Sequence, residues 1–149
     1  MNKVGNVVAI NISEKKGVIK TPIPEGEFKE EYGLVGDVHA GKGHRQVSLL
    51  GQESIDKMKA LGIDGLCTGK FTENITTQGI ILPEFAVGTR LEIGETIQEV
   101  TQIGKECHRG CEIRKQIGDC IMPRECIFTR VIRGGVVRTG DNIKVMVHR

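Results

Sequence analysis

The sequence predicts a mainly β fold: a small barrel or sandwich of short strands with a few short helices. Three observations predict it. Short apolar runs recur along the chain, several with the period of two that places alternate side chains on one face of a sheet. A Gly-Glu pair, a Gly-Gly pair and a Thr-Gly-Asp-Asn segment separate several of these runs, as tight turns require. Only one long segment repeats its apolar residues at helical spacing.

Taken in order, residues 4–12 carry Val8, Ile10 and Ile12 in alternation and form the first strand. Residues 22–26 contain Pro22, Pro24 and Gly26 and read as loop, because proline cannot donate to a ladder. Residues 33–45 are rich in glycine and hold His39 and His44, the composition of a functional loop. Residues 46–50 form a short apolar strand. Residues 52–61 form the helix: Ile55, Met58 and Leu61 share one side, and Gly62 follows as a stop. This helix is expected to cover an opening or a face of the sheet. Residues 90–93 and 96–103 flank a Gly94-Glu95 turn and predict a hairpin. Ile97, Val100 and Ile103 break strict alternation in its second arm, as a β-bulge does. Residues 126–133, 136–137 and 143–147 supply the last strands, with turns at 134–135 and 139–142. A helical or irregular insertion is expected between Cys107 and Cys120.

Composition narrows the function classes. The chain has 149 residues, the size of one domain, and one unit spanning 1–149 is expected. It has no Trp, one Tyr and four Phe, so the core is built from Val, Ile and Leu. So few rings do not make a base-stacking platform, and a net charge of +2 gives no general field for nucleic acid or membrane. No segment approaches the ~20 apolar residues of a membrane helix. The apolar run at 7–10 is too short for a secretory signal. The five cysteines, Cys67, Cys107, Cys111, Cys120 and Cys126, are an odd set without a signal peptide. They point to a reducing cytoplasm rather than a disulfide framework.

The densest chemistry is GKECHRGC, residues 104–111. Lys105, His108 and Arg109 surround Cys107, and cationic neighbours favour the thiolate, the form that attacks sulfur and binds metals. Four Lys or Arg stand against two Glu between 104 and 115, although the chain is nearly neutral. An activated thiol at Cys107 is one interpretation. A buried small hydrophobe is another, and it suits Cys67, Cys120 and Cys126. A zinc site drawn from Cys107, His108, Cys111, Cys120 and Cys126 is a third, but three residues separate Cys107 from Cys111 where zinc knuckles usually have two.

Two further segments hold groups suited to a polar ligand. Residues 36–46 offer Asp37, His39, the five-donor guanidinium of Arg45, and Gln46. Residues 71–77 offer Glu73, Asn74, Thr76 and Thr77. Taken singly, each has an ordinary structural role: Asp37 and Asn74 as turn residues, His39 as a solvated or hydrogen-bonded histidine, and the threonines as strand formers.

Together and in this order, GDVHAGKGHRQVSLL (36–50), GKFTENITTQGI (69–80), VGTRLEIG (87–94), EVTQIGKECHRGC (99–111) and FTRVIRGGVVRTGDNI (128–143) resemble the MOSC domain, the molybdenum cofactor sulfurase C-terminal domain. ENITT and the Thr-Gln strand leading into Cys107 are the most specific parts. The resemblance covers nearly the whole chain. It implies a β-barrel-like fold of short strands with a few short helices. It also implies a cytoplasmic role around the molybdenum cofactor (molybdopterin), either binding the cofactor or relaying sulfur to it.

By the same resemblance, Cys107 is the key thiol, a persulfide carrier or a molybdenum ligand, with Cys111 and His108 as helpers. His39, Arg45, Asn74, Thr76, Lys105 and Arg109 are implied to hold the cofactor. The implied partners are the cofactor, a cysteine desulfurase that itself holds pyridoxal phosphate, and a molybdoenzyme acceptor; neither nucleic acid nor membrane is implied. A pterin-binding module without sulfur chemistry and a zinc-stabilised structural domain are the alternatives. Three positions depart from the family pattern. Glu106 replaces a common proline, His39-Ala40-Gly41 replaces a frequent His-His-Gly, and Cys126 stands where glycine is usual. No desulfurase domain or reductase-type N-terminal domain is expected in the chain.

Overall fold

The computed structural model describes residues 3–15, 20–41, 43, 45–60, 73–104 and 125–146. In chain order the strands are β1 (Lys3–Ile12), β2 (Thr21–Ile23), β3 (Glu25–Lys29), β4 (Gly33–Leu34) and β5 (Val47–Gly51). After helix α1 (Gln52–Ala60) come β6 (Ile75–Gln78), β7 (Arg90–Ile93), β8 (Thr96–Ile103), β9 (Ile127–Arg133), β10 (Gly135–Arg138) and β11 (Asn142–Val145). A 3₁₀ turn, Leu82–Glu84, lies between β6 and β7.

Seven of these strands close on themselves in the order β11-β7-β8-β9-β5-β6-β1, with β1 pairing back to β11. This is a β-barrel. Closure removes the open sheet edges that would otherwise template association. Every barrel pairing is antiparallel except β5 with β6. A parallel pair needs a crossover, and α1 lies in the connection between those two strands. Ser54, Ile55 and Met58 form its buried side. The helix therefore covers β5 and β6, as its apolar spacing predicts. Leu61 and Gly62, which complete the predicted helix, lie outside the described residues.

The interior is Val, Ile and Leu. Ile10, Val47, Leu49, Ile75, Val100, Ile127 and Val131 belong to one buried cluster. Register explains the grouping. Ile10 pairs with Ile75, Leu49 with both Ile75 and Ile127, and Val47 with Thr129. One row of side chains on neighbouring strands thus shares the inner face.

Two departures from expectation have clear causes. The segment at 22–26, read as loop from its prolines, contributes β2 and the start of β3. Pro22 is tolerated because β2 pairs only with the end of β1, so its N–H is not needed in a central ladder. β3 then pairs with β10 and β4 in a second, three-stranded sheet. Its Phe28, Leu34 and Val137 pack into the same apolar cluster. Within β8 the predicted bulge is present, with register shifts between Ile97 and Gln98 and between Val100 and Gln102. The buried side, however, is Thr96, Gln98 and Val100 rather than the isoleucines, and Ile103 is exposed. The inward polar groups satisfy one another: Thr129 donates to Gln98, Gln98 to Thr96, and Thr96 to the Ile93 carbonyl. The insertion expected between Cys107 and Cys120 lies outside the described residues.

Candidate functional site

The outer face of the barrel carries a row of polar residues with Phe128 among them, and the strand register builds it. Gln102 of β8 pairs with Phe128 of β9, and Phe128 pairs with Ser48 of β5. Asn74, just before β6, donates its N–H to the Ser48 carbonyl at 2.9 Å and accepts at its own carbonyl from the Asn11 N–H at 2.7 Å. One residue further along each strand stand Ile127, Leu49, Ile75 and Ile10, which face inward. A period of two therefore puts Phe128, Ser48, Asn74 and Asn11 outward together. Ser48, Asn74 and Asn11 are nonetheless buried. Buried polar groups of this kind must find partners.

Asn74 is the hub. Its Oδ1 accepts from the Ser48 N–H at 3.1 Å and from the Ser48 hydroxyl at 3.2 Å. Thr76 donates to Glu73 Oε2 at 2.7 Å and accepts from the Asn11 amide at 3.0 Å. Asn74 and Thr76, both implicated from the sequence, are thus engaged in internal bonds that hold β1, β5 and β6 in register. The Oδ1 atom of Asn11 and the Thr77 hydroxyl are buried and have no hydrogen-bond partner among the described residues.

On one side the row continues into the glycine-rich loop. Asp37 is buried and forms an ion pair of 2.7 Å with Lys20, whose side chain is wholly buried. Burial pushes the Asp37 carboxyl up. The hydrogen bond from Lys20, the Ser13 N–H, the Asn74 amide and the Lys20 charge outweigh that and hold it below its ordinary value. Lys20 also reaches the Ser13 hydroxyl and His39 Nδ1, each at 3.0 Å. Asp37 Oδ2 accepts the His39 backbone N–H at 3.1 Å. The His39 ring itself is 40% exposed, so it stands at the surface end of a buried chain of groups.

On the other side the row reaches Arg45. Its Nε donates to Gln102 Oε1 at 3.0 Å, and its guanidinium lies 5.2 Å from the centre of the Phe128 ring. Gln102 in turn donates to the Gly104 carbonyl at 2.8 Å, and the Gly104 N–H donates to the Cys126 carbonyl at 2.6 Å. Arg45 is exposed yet held on two sides. The backbone before it is pinned by buried Gln46, which accepts the Val131 N–H at 2.8 Å and donates to the Gly43 carbonyl at 2.9 Å. Gly33 makes room for this arrangement. At its φ of +118° a Cβ would stand 2.5 Å from the Gln46 carbonyl oxygen, so only glycine fits.

Of the site residues named from the sequence, His39, Arg45, Asn74 and Thr76 are therefore joined through one network. Cys107, Cys111, His108, Lys105 and Arg109 lie outside the described residues, as do Cys67, Cys120 and His44. The chain enters that segment from Gly104 and leaves it at Glu125, which accepts from Ser54 at 2.6 Å and from Lys57 at 3.1 Å. Cys126 is fully buried, as expected of a small hydrophobe. Among the described residues no group of three or more His, Cys, Asp or Glu is placed to hold a metal ion. No helix of the described residues is long and apolar enough to cross a membrane.

Sequence reasoning missed Lys20, Ser13, Asn11 and the pairing of Gln102 with Arg45. The only local trace was the Thr-Gln strand, which carries Gln102.

The donor set suits an oxygen-rich anion. Arg45 presents a guanidinium at the surface, and guanidinium groups favour carboxylates and phosphates. Through Gln102 it is connected to Gly104, three residues before Cys107 in the sequence.

Comparison with known proteins agrees on the fold. YuaD protein from Bacillus subtilis superposes with a TM-score of 0.80 at 18% identity, over 97% of each chain. YiiM from Geobacillus stearothermophilus gives 0.71 at 16% identity, over 96% of this chain and 75% of that one. YiiM from Escherichia coli gives 0.66 at 16% identity, over 96% and 70%. No curated protein matches the sequence. The family profile described as MOSC domain matches residues 36–144, which include His39, Arg45, Asn74, Thr76, Gln102 and Phe128. With that match spanning well over half of its length, the chain belongs to the MOSC domain family.

Proposed function

We propose that this protein binds the molybdenum cofactor and relays sulfur to it through Cys107. The single observation that most supports this is Arg45: an exposed guanidinium, fixed by Gln102 and Phe128, at the root of the segment that carries the cysteines. Arg45 holds the phosphate end of the cofactor, with Lys105 and Arg109 adding positive charge. His39 contributes a polar contact at the far end of the row. Asn74 and Thr76 act one step back, fixing the strands that present these groups. The bound cofactor supplies a molybdenum centre that accepts sulfur.

Cys107, favoured as thiolate by Lys105, His108 and Arg109, carries sulfane sulfur as a persulfide received from a cysteine desulfurase. Cys111 thiolate attacks the inner sulfur of that persulfide, forms a Cys107–Cys111 disulfide and expels hydrosulfide. A dithiol reductant then restores both thiols. The protein works in the cytoplasm as one unit spanning 1–149, and a molybdoenzyme is the acceptor.

The test is purification without oxygen, with a desulfurase and cysteine in one arm and a source of molybdopterin in the other. Intact mass should show one added sulfur that is absent in Cys107→Ser. Elemental and pterin analysis should show molybdenum and bound cofactor. A protein that takes up neither sulfur nor pterin overturns the proposal. Pterin binding that survives unchanged in Cys107→Ser, without any added sulfur in the parent, identifies a binding module instead. Stoichiometric zinc, with unfolding on chelation, identifies the structural alternative.

A further inference from the structure

Lys20 is the least expected residue of the outer network. Its side chain has no exposure, and a buried ammonium is costly unless each of its protons finds an acceptor. An ammonium has three donors and no acceptor. Three atoms surround Lys20 Nζ: Asp37 Oδ1 at 2.7 Å, Ser13 Oγ at 3.0 Å and His39 Nδ1 at 3.0 Å. The third atom is a ring nitrogen facing three N–H bonds. It can face them only with its lone pair, because an Nδ1–H would point one donor at another.

The carboxylate nearby does not compete for that ring nitrogen. Asp37 Oδ2 lies 3.9 Å from Nδ1, beyond hydrogen-bond distance, and already accepts the His39 backbone N–H at 3.1 Å. Asp37 therefore fixes the backbone of His39, and Lys20 fixes its ring.

We propose that Lys20 is a positioning residue that holds His39 as the neutral imidazole protonated at Nε2. The ring then carries its one proton on Nε2 and is there an uncharged N–H donor and not a base. Taking up a second proton would place it on Nδ1 and displace Lys20 from its third acceptor. A neutral donor suits an oxygen atom of a polar ligand without adding a further charge to a site that already has Arg45. That last step rests on the proposed cofactor reading; the tautomer does not.

The measurement is the nitrogen spectrum of the imidazole rings in uniformly ¹⁵N-labelled, ligand-free full-length protein near neutral pH. Long-range coupling to the ring carbons' protons separates Nδ1 from Nε2, and His39→Gln assigns the signal. The parent should show a bare Nδ1 and a protonated Nε2. In Lys20→Met the pattern should move toward Nδ1–H or the doubly protonated ring, since Asp37 becomes the nearest charge among the described residues. A parent ring protonated at Nδ1, singly or doubly, overturns the proposal whether or not Lys20→Met folds. A variant that folds and keeps the parent pattern also overturns it, because Lys20 would not be what sets the tautomer. The protein carries no ligand in this experiment, so a failure to bind cofactor leaves its result standing.

Discussion

The two faces of the barrel wall obey different rules although the same strands make both. On β5, Leu49 points into an apolar cluster, while Ser48, one residue earlier, donates both its N–H and its hydroxyl to Asn74. On β1, Ile10 faces in and Asn11 faces out to Glu73 and Thr76. The inner face is held by volume. Its energy scales with buried apolar area, and similar shapes substitute for one another at small cost. The outer face is held by completeness. Each buried donor and acceptor is stabilising only while its partner is present, and losing one partner strands the other. A barrel whose inner wall is mostly apolar and whose outer row is mostly polar can hold that row in place without loosening its core.

Breaking the outer face at its charges should have the largest effect. Asp37→Asn leaves the Lys20 ammonium buried without its counter-ion, and a loss of about 3–5 kcal/mol is expected in urea unfolding. Lys20→Met together with Asp37→Asn should recover much of this, since neither charge is then left alone. The acid limb sharpens the point. The folded Asp37 carboxyl sits below its ordinary value of 3.8, so its contribution is fully present above that value and is lost as pH falls through the lower folded value. Stability of the parent should fall with acid over that window, and Asp37→Asn should remove this part of the slope. A slope of equal steepness in both proteins would show that other carboxylates govern acid unfolding.

The inner face should respond in a different manner. Leu49→Ala should cost about 2–5 kcal/mol and Ile75→Val about 0.5–1.5 kcal/mol. Both losses should be independent of pH across the acid window. Between these lies the small polar chain inside the barrel. Thr129→Val keeps the volume but strands the buried Gln98 oxygen, with an expected loss of about 1–3 kcal/mol. If Thr129→Val instead proves neutral, the inner wall tolerates polar loss and the distinction between the faces weakens.

How much of this the sequence revealed follows from the range of each interaction. Alternation and turn chemistry are local, so β1, β5, the β7–β8 hairpin, β9 and α1 were legible. Pro22 hid β2 because a local rule against proline in ladders says nothing of edge position. The burial of Gln98 was not legible, because Thr129, which donates to it, lies 31 residues away on the neighbouring strand. Lys20 gave no signal at all: its partners Ser13, Asp37 and His39 are 7, 17 and 19 residues away. His39, Arg45, Asn74 and Thr76 emerged from the family resemblance, which named them without distinguishing the two that reach the surface from the two that are buried.

Arg45 should have the smallest effect on stability. Its guanidinium stacks over Phe128 and bonds Gln102, but it is exposed. Such a contact contributes about 0.5–1 kcal/mol, so Arg45→Ala should shift the unfolding midpoint little. Its effect on ligand retention should be much larger, because a surface cation touching a ligand loses that contact outright. Arg45→Lys separates charge from geometry. Lysine keeps the charge but has neither the planar face for Phe128 nor the fixed fork for an oxyanion. Retained pterin in the anaerobic assay should therefore fall in both variants, and more in Arg45→Ala. Parent-level retention in Arg45→Ala would remove Arg45 from the binding surface. It would reduce the Gln102 and Phe128 end of the row to a structural brace, leaving His39 as the row's surface contact among the described residues.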